Sequence, residues 1–179
     1  AYPEGPYGTG YLDTIQDLEF FDPWTGATPR LSDYYQSPDV SVLLISSAAG
    51  WCTACMYESW DLVDSYDKYK ERGLEILYTL YEDRNADPIF QADDSDDQIT
   101  ADMAFFRGWQ DHLGKYIGLP ERKANYPTLV DRDFVLEAYY NQGATPLTLI
   151  VRTSDMKILY RQVGYSEGTI DQLIRGHLH

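Results

Sequence analysis

The stretch Ala48-Ala49-Gly50-Trp51-Cys52-Thr53-Ala54-Cys55-Met56 (AAGWCTACM) holds both cysteines of a 179-residue chain. Three uses for so close a pair can be weighed. As a structural staple it is badly placed, because a disulfide acts chiefly on the unfolded chain: a four-residue loop gains about 2 kcal/mol where a hundred-residue loop gains about 4.7. As half of a structural zinc site it lacks partners. Such sites take four ligands, and the remaining soft candidates are His112, His177 and His179, the last two at a chain end that tends to fray. No metal is therefore expected. The third use is redox: one thiolate attacks a partner's disulfide and the second cysteine resolves the mixed intermediate. That chemistry requires nearness, access and asymmetry. Asymmetry follows if Cys52 caps a helix N-terminus, where free N–H groups and the helix dipole favour a thiolate, with Cys55 a turn deeper.

The flanks supply this context. Val40-Ser-Val-Leu-Leu-Ile45 is β-branched and almost entirely apolar, which predicts a buried central strand. Beyond Cys55, Met56, Leu62, Val63, Tyr66 and Tyr69 recur at helical spacing, and Arg72-Gly73 offers a basic residue and a C-cap. Glu75 to Tyr81 then predicts a second strand, completing a βαβ unit with a right-handed crossover. Further on, Leu147–Val151 and Ile158–Val163 flank a Ser154-Asp155 turn and predict an antiparallel hairpin. Ile170, Leu173, Ile174 and Leu178 mark an amphipathic helix over Glu167–Leu178.

A buried strand running into Trp-Cys-x-x-Cys and a helix resembles the thioredoxin superfamily, and a CxxC in βαβ context is a far stronger signal than an isolated one. Leu18 to Tyr35, ending in Leu-Ser-Asp-Tyr, and Tyr126-Pro-Thr-Leu-Val-Asp-Arg-Asp133 are similar to segments of its redoxin-type, TlpA/ResA-like branch. The resemblance implies an α/β thioredoxin-like fold: a central mixed β-sheet flanked by helices, with an N-terminal β-hairpin extension and a helical insertion between the βαβ and ββα halves. The expected organisation is a single domain over 1–179. It comprises an extended arm (1–17), the hairpin extension (18–39) and a core (40–179) interrupted by an insertion at about 83–125, within which Thr100–Leu113 reads as helix.

The same resemblance implies a site. Cys52 is the expected nucleophile and Cys55 the resolving thiol, with their redox-active disulfide in place of any cofactor. Trp51 shields the pair and contacts partners. Thr145-Pro146, entering the Leu147 strand, corresponds to the cis-proline step, so Thr145 and Pro146 are expected to receive an extended substrate peptide. Two departures stand out. The Thr53-Ala54 spacer lacks the proline common at its second position, and Ser46 replaces the buried acid found six residues ahead of thioredoxin's first cysteine. Glu82 and Asp83 are the candidates for the missing proton-transfer group. Glu58 matches a Cys-x-x-Glu pattern of the branch but reads as an ordinary exposed helical glutamate.

The activity implied is thiol–disulfide exchange with exported proteins, in the reductive direction, by a monomer recharged by an upstream electron donor or acceptor. Peroxide reduction fits poorly because Ala49 stands where peroxiredoxins carry a hydroxyl residue and Ile45 where they carry a proline. A Sco-like copper module would need a CxxxC pair and a distant histidine. A formal charge of −15 argues against nucleic acid and anionic membranes, and any electrostatic steering favours basic partners. No run approaches the roughly 20 apolar residues of a membrane span. The best, Val40–Ala49, contains three serines. The chain begins at Ala1 with a Gly/Pro-rich segment and reads as either a processed mature form or a trimmed chain; the expected location is a bacterial periplasm or cell envelope, with a lipid tether through a removed N-terminal segment as one form of it. Asp93-Asp94-Ser95-Asp96-Asp97 lacks the glycine turn and closing glutamate of a calcium loop and reads as solvated.

Overall fold

The structure is a computed structural model that describes residues 1–178. His179, one of the histidines weighed as a ligand, lies outside the described residues. The central strand, β1 (Val42–Ala49), is buried at every position. It is covered on both faces, and its alternation divides the core accordingly. Val42, Leu44 and Ala48 pack with the helices α1 (Thr53–Tyr69), α2 (Asp96–Asp111) and α3 (Thr169–Arg175), whereas Leu43 and Ile45 pack with Ile15, Leu18, Phe20 and Leu31 from the N-terminal segment. With β2 (Leu74–Glu82), β3 (Thr128–Val130), β4 (Leu147–Arg152) and β5 (Lys157–Val163), β1 forms a five-stranded sheet of order β3-β2-β1-β4-β5. β1, β2 and β3 run parallel, and β4 and β5 are antiparallel additions. The mixed thioredoxin-like sheet implied by the sequence resemblance is thus present.

Several element boundaries differ from the sequence expectation for identifiable reasons. β1 begins two residues late and continues through Ser46, Ser47, Ala48 and Ala49, small residues that can be buried beneath a crowded site. The acidic run is not simply a solvated loop: Ser95 caps α2, its side chain accepting from the Gln98 N–H, and Asp96 and Asp97 occupy the first turn, where the helix dipole favours negative charge. The closing helix is shorter than Glu167–Leu178, spanning only Thr169–Arg175 after Gly168 in the left-handed conformation. Within the insertion, the buried Asp102 carboxylate accepts from the Phe90 N–H at 2.7 Å and from the Gln98 amide at 2.8 Å, fastening the preceding loop to α2.

The N-terminal arm also does more than extend from the core. Leu12 N donates to Ile158 O (2.7 Å), Ile158 N to Asp13 O (3.0 Å) and Ile15 N to Met156 O (2.9 Å), so residues 12–15 pair along the outer edge of β5. Ile15 is fully buried. The following hairpin, bridged at Glu19 and Arg30, reaches the opposite edge, where Phe21 and Val130 exchange backbone hydrogen bonds. Each edge of the sheet is thereby met by backbone pairing, β5 at Ile158 and β3 at Val130, which leaves fewer unpaired strand groups. Ile15→Ala should lower unfolding free energy by about 2–5 kcal/mol in denaturant melts; a loss under about 0.5 kcal/mol, the size of an ordinary surface change, would contradict the packing of the arm.

Candidate active site

β1 delivers the chain to the site through a tight approach at Gly50. A Cβ there would lie 2.6 Å from the Asp83 backbone and 2.7 Å from the Phe105 ring, so only glycine fits. Gly50 N donates to Glu82 O at the end of β2, and Cys52 N to Ala49 O, closing the turn that starts α1. Cys52 is the N-cap of that helix, and its Sγ accepts from the Cys55 N–H at 3.0 Å. The two cysteines are joined as a disulfide with their Cα atoms 5.2 Å apart. Cys55 is completely buried, while Cys52 retains 5% exposure beside Trp51, which is 46% exposed. Both cysteines belong to the buried core, and the asymmetry is that Cys52 caps the helix N-terminus and keeps a slight exposure while Cys55 has none.

The loop before β4 faces this pair. The Thr145–Pro146 peptide bond is cis, the Thr145 carbonyl oxygen lies 3.5 Å from Cys52 Sγ, and Thr145 Oγ1 lies 3.9 Å from Cys55 Sγ. Tyr140 fixes that loop to β1 through its hydroxyl, which bonds Ser47 O at 3.1 Å, Ser47 Oγ at 3.0 Å and Thr145 Oγ1 at 3.0 Å. Burial holds the Tyr140 phenol well above its ordinary range, so it stays protonated. Cys52, Cys55, Trp51, Thr145 and Pro146 are thus brought together.

Glu82 and Asp83 are occupied differently. Glu82 accepts from the Trp51 indole N–H at 2.7 Å and so orients that ring. Asp83 accepts from the N–H groups of Asn85 (2.7 Å) and Asp87 (3.1 Å), forming a turn. A further acid, Glu58, reads in the sequence as exposed and is in fact fully buried. It lies one turn along α1 from Cys55. Ser46 Oγ donates to one carboxylate oxygen, and Thr148 Oγ1 donates to the other at 2.8 Å. Ser46 and Thr148 are register partners on β1 and β4. The carboxyl group therefore ties α1 to both strands two residues beyond Pro146. Desolvation by burial raises its pKa from 4.5 to about 7, against the lowering effect of the two hydroxyl donors. The signal was present in the sequence: Cys55, Glu58, Ser59 and Leu62 fall on one helical face, and all four are buried.

Among the described residues, no group of three or more His, Cys, Asp or Glu side chains is placed to hold a metal ion. His112 Nδ1 pairs with Glu121 Oε2 at 2.7 Å. Among the described residues, no helix is long and apolar enough to cross a membrane.

Comparison with solved structures identifies the fold. A structure from Chlorobium tepidum described as a thiol:disulfide interchange protein, DsbE, superposes with a TM-score of 0.65 at 17% identity, covering 95% of this chain and 99% of that one. A Bacteroides thetaiotaomicron structure described as a protein disulfide isomerase gives 0.61 at 18% identity, covering 96% and 92%. The exposed lipoprotein thioredoxin of Streptococcus pneumoniae gives 0.54 at 23% identity, covering 89% and 99%. Neither the models of known protein families nor the sequences of curated proteins match the chain. At these identities the likeness concerns architecture: the chain has the thioredoxin-like fold, carrying a CxxC pair at the start of α1.

The buried carboxyl predicts a pH signature. Folded Glu58 keeps its proton up to about pH 7, whereas the unfolded chain releases it near 4.5. The native state thus binds the extra proton between these values, and its stability falls as pH rises through that window. Glu58→Gln, permanently neutral, should lack this fall, gaining up to about 3 kcal/mol relative to wild type between pH 4 and pH 8 in denaturant melts. A difference between the two proteins that does not change with pH would contradict the assignment.

Proposed function

We propose that this protein is a thiol–disulfide oxidoreductase that reduces disulfides in client proteins outside the cytoplasm. The observation that carries this reading is the asymmetric pair itself: Cys52 caps α1 and accepts the Cys55 N–H, Cys55 lies buried, and the Thr145 carbonyl is 3.5 Å from the outer sulfur. Free amides and the dipole at a helix start stabilise a thiolate there and nowhere deeper. The structural neighbours described as an interchange protein, a disulfide isomerase and an exposed lipoprotein thioredoxin support both the chemistry and the extracytoplasmic setting. The reductive direction follows the TlpA/ResA-like reductases that the sequence resembles.

In the proposed cycle the reduced protein attacks through the Cys52 thiolate. A Cys52–client disulfide forms, and the first client sulfur leaves as a thiolate that takes up a proton. Cys55 then gives its thiol proton to the Glu58 carboxylate and attacks Cys52 Sγ, expelling the second client thiolate. Two electrons pass to the client, and the Cys52–Cys55 disulfide remains until an upstream dithiol donor reduces it. A carboxyl titrating near 7 is matched to this transfer, being able to take up and release a proton at neutral pH. That property favours Glu58 over Glu82 and Asp83, whose carboxylates serve the Trp51 ring and a turn. The extended backbone beside Pro146 offers main-chain groups to a client strand, and Trp51 covers the approach.

The roles are separable by mutation. Cys52→Ala should abolish reduction of a disulfide-linked peptide, while Cys55→Ser should accumulate a covalent protein–peptide disulfide detectable by intact mass. Equal, partial losses in both variants would refute the assignment of nucleophile and resolving thiol.

A further inference from the structure

We propose that the cleft beside the dithiol is a specificity pocket for a basic side chain, arginine above all, flanking the client's cysteine; this deepens the oxidoreductase reading and rests on it. The cleft has a volume of about 230 Å³ and is lined by Trp51, Tyr81, Phe134, Glu137, Tyr140 and Thr145 among others. A cavity of about 150 Å³ suffices for a benzene-sized group, so one long side chain fits. Thr145 belongs both to this lining and to the contact with Cys52 Sγ. A client whose sulfur reaches Cys52 therefore presents its neighbouring residue to the cleft.

The walls are held in place by the surrounding structure. Tyr81 and Phe134 stack at 4.1 Å between ring centroids, and Phe134 meets Tyr140 edge-on at 5.7 Å. Phe134 has φ = 46°, a left-handed conformation unfavourable for a bulky residue that costs about 1–3 kcal/mol and needs support from its surroundings. The support is Asp131, a buried carboxylate that accepts from the N–H groups of Val135 (2.8 Å) and Leu136 (3.1 Å) and caps the 3-10 turn Val135–Tyr139. That turn carries Glu137, which is exposed at the cleft. On the opposite side, Trp51 is fixed by its hydrogen bond to Glu82.

These features select the occupant by charge. Aromatic faces attract a guanidinium or ammonium group through their negative π surfaces, and a nearby carboxylate adds an ion pair. Among the described residues no lysine or arginine lines the cleft, the Glu137 carboxylate does, and the chain as a whole carries −15. A client glutamate meets repulsion, and a client leucine satisfies the rings but leaves Glu137 without a counter-charge.

The test uses the reduced full-length protein and three disulfide-linked peptides identical except that the cysteine is flanked by arginines, leucines or glutamates. The arginine peptide should exchange about fivefold faster than the leucine peptide at low salt, with the glutamate peptide slowest. Glu137→Lys should reverse the order of arginine and glutamate. A leucine peptide as fast as the arginine peptide, or an order unchanged by Glu137→Lys, would overturn the pocket while leaving disulfide exchange standing. If the folded wild-type protein exchanged with none of the three, the oxidoreductase reading and the pocket would fall together.

Discussion

The site depends on one hydrogen bond: the Cys55 N–H pointing at the sulfur of Cys52 across the first turn of α1. The helix start leaves its first amides without intrahelical partners, and the CxxC spacing places one cysteine where such an amide can reach it. The other cysteine is carried into the core. A helix terminus contributes about 0.3–1 kcal/mol to a nearby anion, up to about 2 in partly buried geometry. Since about 1.4 kcal/mol corresponds to one pKa unit, the dipole alone lowers a thiol pKa by about one unit. The surrounding structure serves to keep this geometry: a buried strand aims the chain, Gly50 permits the close turn past Asp83 and Phe105, and the loop at Thr145 faces the sulfurs.

One turn along α1 from Cys55, the buried Glu58 weighs on stability. A carboxyl group in a dry interior stabilises the fold best when protonated, so a core acid titrating near 7 is a burden at neutral pH. Its two hydroxyl donors, Ser46 and Thr148, reduce that burden without abolishing it. On β1, Ser46 serves as a hydroxyl donor to this buried acid. Tyr140, joining Ser47 to Thr145, plays the matching role for the proline loop.

What the sequence revealed and what it concealed follow from the reach of each interaction. The contiguous apolar run at β1, the helical spacing after Cys55 and the Thr145-Pro146 step are local patterns, and they locate the sheet centre, α1 and the facing loop. Glu58 reads as exposed because a glutamate on a helix is usually solvated; only its phase relative to Cys55 and Leu62 indicates otherwise. Ile15 carries no periodic signal, because it and Thr14 are buried in an irregular segment that pairs with β5. The cleft was invisible for a related reason. Trp51, Tyr81, Phe134 and Tyr140 lie far apart in sequence and converge only when the sheet and the Asp131-capped turn have formed.

The ionisation of Cys52 is the most direct test of this account. In the reduced protein, the rate of alkylation followed across pH, with the modified cysteine identified by peptide mass, reports which thiol ionises and where. The account predicts modification of Cys52 with an apparent pKa well below the free-thiol value of about 8.5, with Cys55 unreactive. A midpoint at or above that value, or equal labelling of both cysteines, would contradict it.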